Sequence, residues 1–257
     1  MLLAATCCSV VLTPRWLLCR WRCAGAKGDG ATDDAPAIQR AIDEAQQVSS
    51  LGTAQGPSRP IYFPAGEYII KSSLNIVSTH VKGSNKQLAL ALRLYGDGVG
   101  QSVIVAAAPM DAVLRFAGHG PNAGVAGVTT NGHTVESMKF DAAGLANYSV
   151  AATAITRSLF RYSDFSGARI AGLFLGYGWI NDVLECYFTG NLIGVYLDNA
   201  VNSVNVVDGN FEGNCEELAR IRLIGPVRVA SAGALRSHNM RCLFRSVLIR
   251  WRGNHCE

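Results

Sequence analysis

Apolar positions follow a helical period between residues 35 and 48 and alternate in short segments after residue 60. The helical part follows Gly25-Ala-Lys-Gly-Asp-Gly30, whose glycines permit a tight turn. Its spacing of about 3.6 residues predicts an amphipathic helix over about 34–48, starting at Ala35 or Pro36 and capped by Asp33 or Asp34. The apolar face of this helix consists of Ile38, Ala41, Ile42, Ala45 and Val48.

Short segments rich in β-branched and aromatic residues follow the helix. Pro64-Ala-Gly66 and Gly96-Asp-Gly-Val-Gly100 separate them, which is the composition of turns. Their length and flanking residues predict strands connected by tight turns. The predicted strands are Ile61 to Phe63, Tyr68 to Ile70, Leu90 to Tyr95 and Val103 to Ala106.

A weak internal repeat occupies residues 135–214. Phe140, Phe165, Phe188 and Phe211 are separated by 25, 23 and 23 residues. The last three begin the aligned segments Phe-Ser-Gly-Ala, Phe-Thr-Gly-Asn and Phe-Glu-Gly-Asn. Val183 and Val206 recur at the same interval of 23 residues. A constant interval of this length indicates a solenoid in which each repeat is one turn.

The repeat unit contains short strands and no helical pattern, which favours a parallel β-solenoid with about three strands per coil. Equivalent side chains should then stack about 4.8 Å apart along the axis. We therefore expect an interior stack of the phenylalanines and a hydrogen-bonded ladder of Asn191 over Asn214. Because the first coil would otherwise expose an unpaired strand edge, we expect the helix at 34–48 to cover it.

Charge divides the chain into three parts. The formal net charge is +4, but residues 24–215 carry 12 basic and 16 acidic side chains, so the basic excess lies in residues 1–23 and 216–257. Those two segments lack lysine and a clear periodicity, which is unlike nucleic-acid-binding or membrane-surface tails. We therefore expect no nucleic-acid partner. No uncharged apolar stretch approaches the roughly 18 to 20 residues that a membrane span needs, so we expect no span. We predict a domain over 24–215 with irregular ends.

The two ends have unusual composition. Residues 216–257 have eight arginines, no lysine and no further copy of the repeat, and we interpret them, with 1–23, as products of a shifted or mis-started reading frame. An export signal with its apolar region at Leu2 to Leu12 is the alternative for the first segment. The cysteines and histidines show no metal-ligand spacing and no disulfide framework, so no metal or other cofactor is expected.

The order of motifs resembles the opening of the pectate lyase superfamily of right-handed parallel β-helices. The matching segments are Gly25 to Asp34, Ala37-Ile-Gln39, Ile61-Tyr-Phe-Pro-Ala-Gly66 and Leu94-Tyr-Gly-Asp-Gly98. The resemblance covers about 25–215 and implies an all-β fold with an N-terminal capping α-helix and a polysaccharide along its side. It also implies an extracellular or virion-associated protein, and a homotrimer if the chain is tailspike-like.

The later coils depart from polygalacturonase-like members of the superfamily. Those members carry an Asn-Thr-Asp, an Asp-Asp pair, a Gly-His-Gly and an Arg-Ile-Lys in that order. Here Gly118-His-Gly120 precedes the regular coils without the aspartate pair, and Arg169-Ile170 is followed by alanine. We therefore interpret His119 as a loop residue.

Two carboxylates are the candidates for glycoside hydrolysis, which needs a pair about 5 Å apart for retention or about 6.5 to 9.5 Å apart for inversion. Glu185 and Asp208 each precede a phenylalanine of the repeat by three residues, so they should lie one coil apart. Proximity would raise the pKa of one of them, as a general acid requires. Solvated turn residues are the alternative interpretation. Further acids within reach of these coils are Asp164, Asp182 and Asp198.

A lyase would instead need calcium and a basic residue that removes a proton beside a uronate. Arg157, Arg161 and Arg169 are available, although no spacing selects one. The candidate sugar-stacking residues are Tyr177, Trp179 and Tyr187. The sequence thus predicts a polysaccharide hydrolase or lyase, truncated relative to a full enzyme groove. The alternative is a non-catalytic saccharide-binding or structural β-helix such as a tailspike fragment.

Overall fold

The fold is a right-handed parallel β-helix whose coils each contribute a strand to three parallel sheets. The computed structural model describes residues 25–46, 60–77, 91–117, 130–198, 201–220 and 227–230. Within these ranges the chain passes from the first sheet to the second and then to the third before it starts the next coil. The predicted all-β solenoid with about three strands per coil is confirmed.

The first sheet contains seven short strands, all paired in parallel. Alternate residues of its regular strands point inward, and these are the phenylalanine positions of the repeat. The strands are β1 (Asp29–Asp33), β3 (Gly66–Ile70), β6 (Ser102–Ala106), β10 (Lys139–Asp141), β14 (Asp164–Ser166), β17 (Tyr187–Thr189) and β20 (Asn210–Glu212).

The second sheet follows the first around the coil and contains six strands. Small and aliphatic inward positions such as Val150, Leu173 and Val195 are in register across neighbouring strands and are buried. The strands are β4 (Leu74–Val77), β7 (Met110–Ala117), β11 (Ala146–Thr153), β15 (Ala171–Leu175), β18 (Ile193–Leu197) and β21 (Glu216–Arg220).

The third sheet closes each coil. Its strands are β2 (Ile61–Phe63), β5 (Arg93–Gly96), β8 (Thr130–Asn131), β9 (Thr134–Glu136), β12 (Ile155–Thr156), β13 (Leu159–Arg161), β16 (Gly178–Leu184), β19 (Val201–Val207) and β22 (Val227–Ala230). In two coils the strand is interrupted, so one coil contributes β8 and β9 and the next contributes β12 and β13. β8 pairs with β12 and β9 pairs with β13, and both β12 and β13 pair with the longer strand β16.

The four phenylalanines of the repeat form one interior column. Phe140 pairs in register with Phe165, Phe165 with Phe188, and Phe188 with Phe211. Their rings are stacked with centroid separations of 5.9, 5.3 and 4.9 Å. The first three rings are fully buried and Phe211 is half-buried. The predicted stack is therefore confirmed.

The corner between the first and second sheets explains the glycine and asparagine of the repeat. Gly167, Gly190 and Gly213 all have positive φ, between 64° and 68°, which favours glycine at this position. The next residue in the last two corners is Asn191 or Asn214, and Asn214 Oδ1 accepts hydrogen bonds from the backbone and side chain of Asn191. The predicted asparagine ladder is confirmed.

A single helix, α1 (Ala35–Gln46), lies at the N-terminal end of the described coils. Ile38 and Ile42 on its apolar face are fully buried. Gln39 exchanges two hydrogen bonds with the backbone of Asn75 in β4, at 2.8 and 2.7 Å, and so fastens the helix to the second sheet. The predicted cap is confirmed; Val48, its last predicted residue, lies outside the described residues.

The two candidate capping aspartates have different roles. Asp33 Oδ1 accepts a hydrogen bond of 3.2 Å from the amide of Ala35, at the first position of the helix. The Asp34 carboxylate turns the other way and accepts hydrogen bonds from the amides of Lys27 and Gly28, at 2.8 and 2.9 Å. Asp34 thus holds the glycine-rich turn against the start of the helix.

The strand ladder continues past residue 215, where the sequence repeat ends. Strand β21 pairs with β18, and β22 pairs with β19, so the last coil extends further than the repeat indicated. The aberrant segments are predicted over 1–23 and 216–257. Within them, residues 216–220 and 227–230 form β21 and β22, and the rest, including the predicted export signal, lies outside the described residues. The reading-frame hypothesis stays a prediction. His119 also lies outside the described residues.

Candidate functional site

Glu185 and Asp208 lie side by side at the corner between the third and first sheets. Leu184 pairs in register with Val207 just before them, and the Glu185 amide donates a hydrogen bond of 2.9 Å to the Val207 carbonyl. Both side chains are exposed. Neighbouring strands are about 4.8 Å apart, so the backbones of the two residues are one strand spacing apart.

This corner imposes an unusual backbone conformation. Glu185 and Asp208 have φ of 51° and 52°, and Ser137 and Tyr162 at the same corner of earlier coils have φ of 56° and 50°. Because a serine and a tyrosine share this left-handed conformation, it belongs to the coil and is not specific to acidic residues. Aspartate adopts it more readily than most residues.

The three predicted sugar-stacking aromatics do not share one surface. Tyr177 and Trp179 lie at the start of β16 in the third sheet, both half-buried, with rings edge to face at 5.8 Å. Tyr187 lies on β17 in the first sheet, and 47% of it is exposed. The structure therefore brings Tyr177 and Trp179 together and places Tyr187 on a different sheet.

The structure reveals a row of polar and aromatic side chains that the sequence reasoning missed, on the outer face of the third sheet. Tyr62, Tyr95, Glu136 and Arg161 occupy one register position on four successive coils. The rings of Tyr62 and Tyr95 are 5.1 Å apart. We call these four residues, together with Arg93, the third-sheet row.

Glu136 binds two arginines within this row. Its Oε2 lies 3.0 Å from Arg93 Nη2, and its Oε1 lies 2.8 Å from Arg161 Nη2. The Arg93 guanidinium also lies 5.0 Å above the ring of Tyr95. One carboxylate thus positions two guanidinium groups, and the trio keeps a net charge of +1. Arg161 Nε is buried and has no hydrogen-bond partner among the described residues.

One end of the row is fixed by a hydrogen bond between Tyr62 and Asp97. The Tyr62 hydroxyl donates to Asp97 Oδ1, and this contact, with burial, raises the pKa of Tyr62 to about 12. The other oxygen of Asp97 accepts a hydrogen bond from the amide of Ala65 at 2.9 Å. The ring of Tyr62 is therefore held in a fixed orientation beside Tyr95.

The structure distinguishes the three arginines considered for a lyase. Arg161 lies in the third-sheet row, whereas Arg169 Nε donates to the Gly144 carbonyl at the opposite end of the first sheet's strands. Arg157 is exposed at the bend between β12 and β13. Arg161 is thus the one of these three that lies beside both a carboxylate and aromatic rings.

The described part of the chain contains no group of three or more histidine, cysteine, aspartate and glutamate side chains that could hold a metal ion. Within the same residues, no helix is long and apolar enough to cross a membrane.

The three parallel sheets, with polar side chains in register on their outer faces, define the chain as a parallel β-helix. A family model described as rhamnogalacturonase A/epimerase, pectate lyase-like, matches residues 22–218. The match spans most of the chain, and the chain therefore belongs to this family. The superfamily indicated by the opening motifs is confirmed.

One curated relative matches part of the chain. The mannuronan C5-epimerase AlgE1 of Azotobacter vinelandii is 42% identical over 81 residues, which is 31% of this chain and 5% of AlgE1. The chain thus matches a small part of a much longer protein.

Solved structures agree on the fold. ORF18 of Geobacillus virus E2 superimposes with a TM-score of 0.58 at 20% identity, over 82% of this chain and 47% of that one. A putative glycosyl hydrolase from Parabacteroides merdae gives a TM-score of 0.52 at 13% identity, over 81% of this chain and 95% of that one. At such identities the likeness is one of fold alone.

Proposed function

We propose that this chain is a carbohydrate-active β-helix protein that binds an acidic polysaccharide along the third-sheet row. The observation that carries the proposal is the in-register order of Tyr62, Tyr95, Glu136 and Arg161 over four successive coils. A ligand with a regular repeat matches a surface with a regular repeat, as in other solenoids that bind extended partners. The family membership and the name of the matched relative, an epimerase of mannuronan, support the same class of ligand.

The two arginines of the row, Arg93 and Arg161, are the reason for proposing an acidic ligand. A guanidinium has five N–H donors in a planar fork that suits carboxylates, and Glu136 occupies a nitrogen of each of its two partners. The Arg161 and Arg93 side chains are 37% and 53% exposed. Both guanidinium groups therefore have further N–H donors for a uronate carboxylate, while the tyrosine rings offer an apolar face to a pyranose.

Hydrolysis by Glu185 and Asp208 is the catalytic part of the proposal. The two carboxylates lie one coil apart at the corner beside β16 and β19, the strands that continue the third sheet beyond Arg161. In a retaining mechanism, one carboxyl group protonates the glycosidic oxygen and the other attacks the anomeric carbon. Tyr177 and Trp179, on the same sheet, are then candidates for a further sugar-stacking position. A lyase would instead use Arg161 beside the uronate and would need calcium.

A non-catalytic saccharide-binding or tailspike-like protein is the second candidate. The observation that favours it is the shared left-handed corner, because Ser137 and Tyr162 occupy the same position without any acid chemistry. Glu185 and Asp208 would then be turn residues. A virion or extracellular location and a homotrimer belong to this proposal, and light scattering of the purified chain tests the trimer.

The experiment measures binding and product formation on polyuronates and on neutral polysaccharides. We expect binding to polyuronates, and Arg161→Gln should weaken it about tenfold, because the variant loses the spare guanidinium donors. Arg169→Gln is the matched control, because it removes the same charge outside the row and should bind as the wild type does. Equal binding by the wild type and Arg161→Gln would remove the proposal.

Products separate the mechanisms. A hydrolase releases reducing ends without absorbance, whereas a lyase produces unsaturated uronate that absorbs in the ultraviolet. Binding without either product supports the non-catalytic candidate.

A further inference from the structure

A second polar patch lies on the outer face of the first sheet, around the corner from the third-sheet row. Phe140, Phe165 and Phe188 point inward, so the residues on either side of each of them point outward. One outward row runs through Lys139, Asp164 and Tyr187, which are in register on three successive coils. The adjacent outward row runs through Asp141, Ser166 and Thr189.

Lys139 lies between the two carboxylates of this patch. Its Nζ is 3.4 Å from Asp141 Oδ2 and 3.8 Å from Asp164 Oδ2. The second oxygen of Asp141 accepts a hydrogen bond of 2.8 Å from the amide of Ala143. Asp141 and Lys139 thus have ion-pair or hydrogen-bond partners among the described residues, and they fix one side of the patch.

Two buried polar atoms of the patch have no partner in the described part of the chain. They are Asp164 Oδ1 and Ser166 Oγ. Ser166 is only 6% exposed although its side chain points away from the core. Buried polar atoms are almost always hydrogen-bonded, so two of them on one strand indicate a place where a partner from outside the chain belongs.

The electrostatics of Asp164 suit a ligand that both donates and accepts hydrogen bonds. Burial raises the pKa of Asp164, and the neighbouring Asp141 adds to the rise while Lys139 opposes it. A carboxyl oxygen accepts a hydrogen bond from a hydroxyl when the group is ionised, and the protonated form can donate one.

Tyr187 supplies an exposed ring next to these atoms. It is the register neighbour of Asp164 on the following coil, and 47% of it is exposed. Lys139 is the register neighbour of Asp164 on the preceding coil, and its side chain is 28% exposed. The exposed Tyr187 side chain has room to move at the surface, and its movement would open the buried oxygens to a ligand, whereas Lys139 is held by its two ion pairs.

We propose that Lys139, Asp164, Ser166 and Tyr187 form a second saccharide-binding site, on the first sheet, which takes a neutral sugar unit. The sugar hydroxyls satisfy Asp164 Oδ1 and Ser166 Oγ, and the ring of Tyr187 packs against the apolar face of the pyranose. Two carboxylates surround one ammonium group, so a uronate carboxylate is repelled here. The preference for neutral sugars is opposite to that of the third-sheet row, and it depends on no property of that row.

Isothermal titration of the full chain tests the site, with neutral tetrasaccharides of glucose, galactose and mannose as probes and a uronate tetrasaccharide for comparison. We expect at least one neutral probe to bind, and both Tyr187→Ala and Asp164→Ala to weaken it about tenfold or more. Tyr162→Ala is the control, because Tyr162 is also an exposed tyrosine (45%) but its ring lies beside the Arg161 guanidinium at the corner before the first sheet. It should leave the neutral probe's affinity within about twofold.

The following results would overturn the proposed first-sheet site or separate it from the third-sheet row. The site is overturned if no neutral probe binds, or if Tyr187→Ala and Asp164→Ala both bind like the wild type. Because Tyr187 is exposed, its substitution keeps the test valid even where Asp164→Ala impairs folding. Arg161→Gln should leave the neutral probe's affinity unchanged, and Tyr187→Ala should leave polyuronate binding unchanged. Failure of one site is therefore distinguishable from failure of the other.

Discussion

Asn214 Oδ1 accepts two hydrogen bonds from Asn191 of the preceding coil, one from the backbone amide and one from Nδ2, both of 3.0 Å. Asn191 in turn accepts a hydrogen bond of 2.9 Å from the Ala168 amide and donates one of 2.9 Å to the Phe165 carbonyl. A single buried amide thus connects three successive coils at the same corner.

Replacement of Asn191 should therefore destabilise the solenoid more than replacement of Asn214. Asn191 is 2% exposed, so Asn191→Ala leaves buried backbone groups without partners and should lower the free energy of unfolding by about 2–4 kcal/mol. Asn214 is half-buried, and Asn214→Ala should cost about half as much. Urea denaturation measures both variants, and equal losses would contradict this account of the ladder.

The phenylalanine column predicts a similar gradient. Phe188 is fully buried between rings at 5.3 and 4.9 Å, so Phe188→Ala should lower the free energy of unfolding by about 3–5 kcal/mol. Among the described residues Phe211 has one stacked neighbour, and it is half-buried, so Phe211→Ala should cost clearly less. Thermal unfolding of the two variants side by side checks the order, and a larger loss for Phe211→Ala would contradict it.

The same residues show why much of the fold could be predicted. Between residues 135 and 214 the coils have nearly constant length, so Phe140, Phe165, Phe188 and Phe211 recur at a visible interval. The interior column and the asparagine corner follow directly from that interval. The helix was predictable from its own period, because Ile38 and Ile42 lie on one face.

The third-sheet row was harder to predict because the early coils differ in length. Tyr62 and Tyr95 are in register although 33 residues separate them, and Tyr95 and Glu136 are in register across 41 residues. Only the step from Glu136 to Arg161 equals the 25 residues between Phe140 and Phe165. That interval was the available clue, whereas the place of Arg93 depends on connections of irregular length.

Asp34 gives a prediction for the glycine-rich turn at the start of the fold. Its buried carboxylate holds the amides of Lys27 and Gly28, so Asp34→Ala should lower the free energy of unfolding by about 2–4 kcal/mol. Asp29 also binds two amides, those of Ala31 and Thr32, but it is exposed and water can replace it. Asp29→Ala should therefore have a much smaller effect in the same denaturation experiment. A larger loss for Asp29→Ala would show that the buried contact is not the one that matters.

Glu185 and Asp208 give a prediction that separates catalysis from turn formation. If they are the hydrolytic pair, Glu185→Gln and Asp208→Asn should each lower the rate of reducing-end release about 100-fold or more. Both side chains are exposed, so the free energy of unfolding should change by less than about 0.5 kcal/mol. Glu212→Gln, at an exposed acid on the first sheet, is the control and should retain activity. Full activity of both variants would assign the two acids to the turn alone.

His133 makes the stability of the fold sensitive to acid. The imidazole is 1% exposed, its Nδ1 accepts a hydrogen bond of 3.1 Å from the Leu92 amide, and its ring lies 4.9 Å from that of Phe116. Burial lowers the pKa of His133 from 6.5 to about 4. The unfolded chain therefore takes up a proton on this residue at a higher pH than the folded chain does.

Neutral His133 makes its full contribution to the free energy of unfolding above about pH 6.5. This contribution should decline by about 3 kcal/mol in all as the pH falls from 6.5 to 4. His133→Gln is the informative variant, because a glutamine oxygen can still accept the hydrogen bond from Leu92 but does not titrate. The raised pKa of Asp164 opposes the trend, so the difference between the wild type and His133→Gln isolates the histidine. Urea denaturation at intervals between pH 7 and 4 measures it, and parallel pH profiles for the two proteins would contradict the assignment of this acid sensitivity to His133.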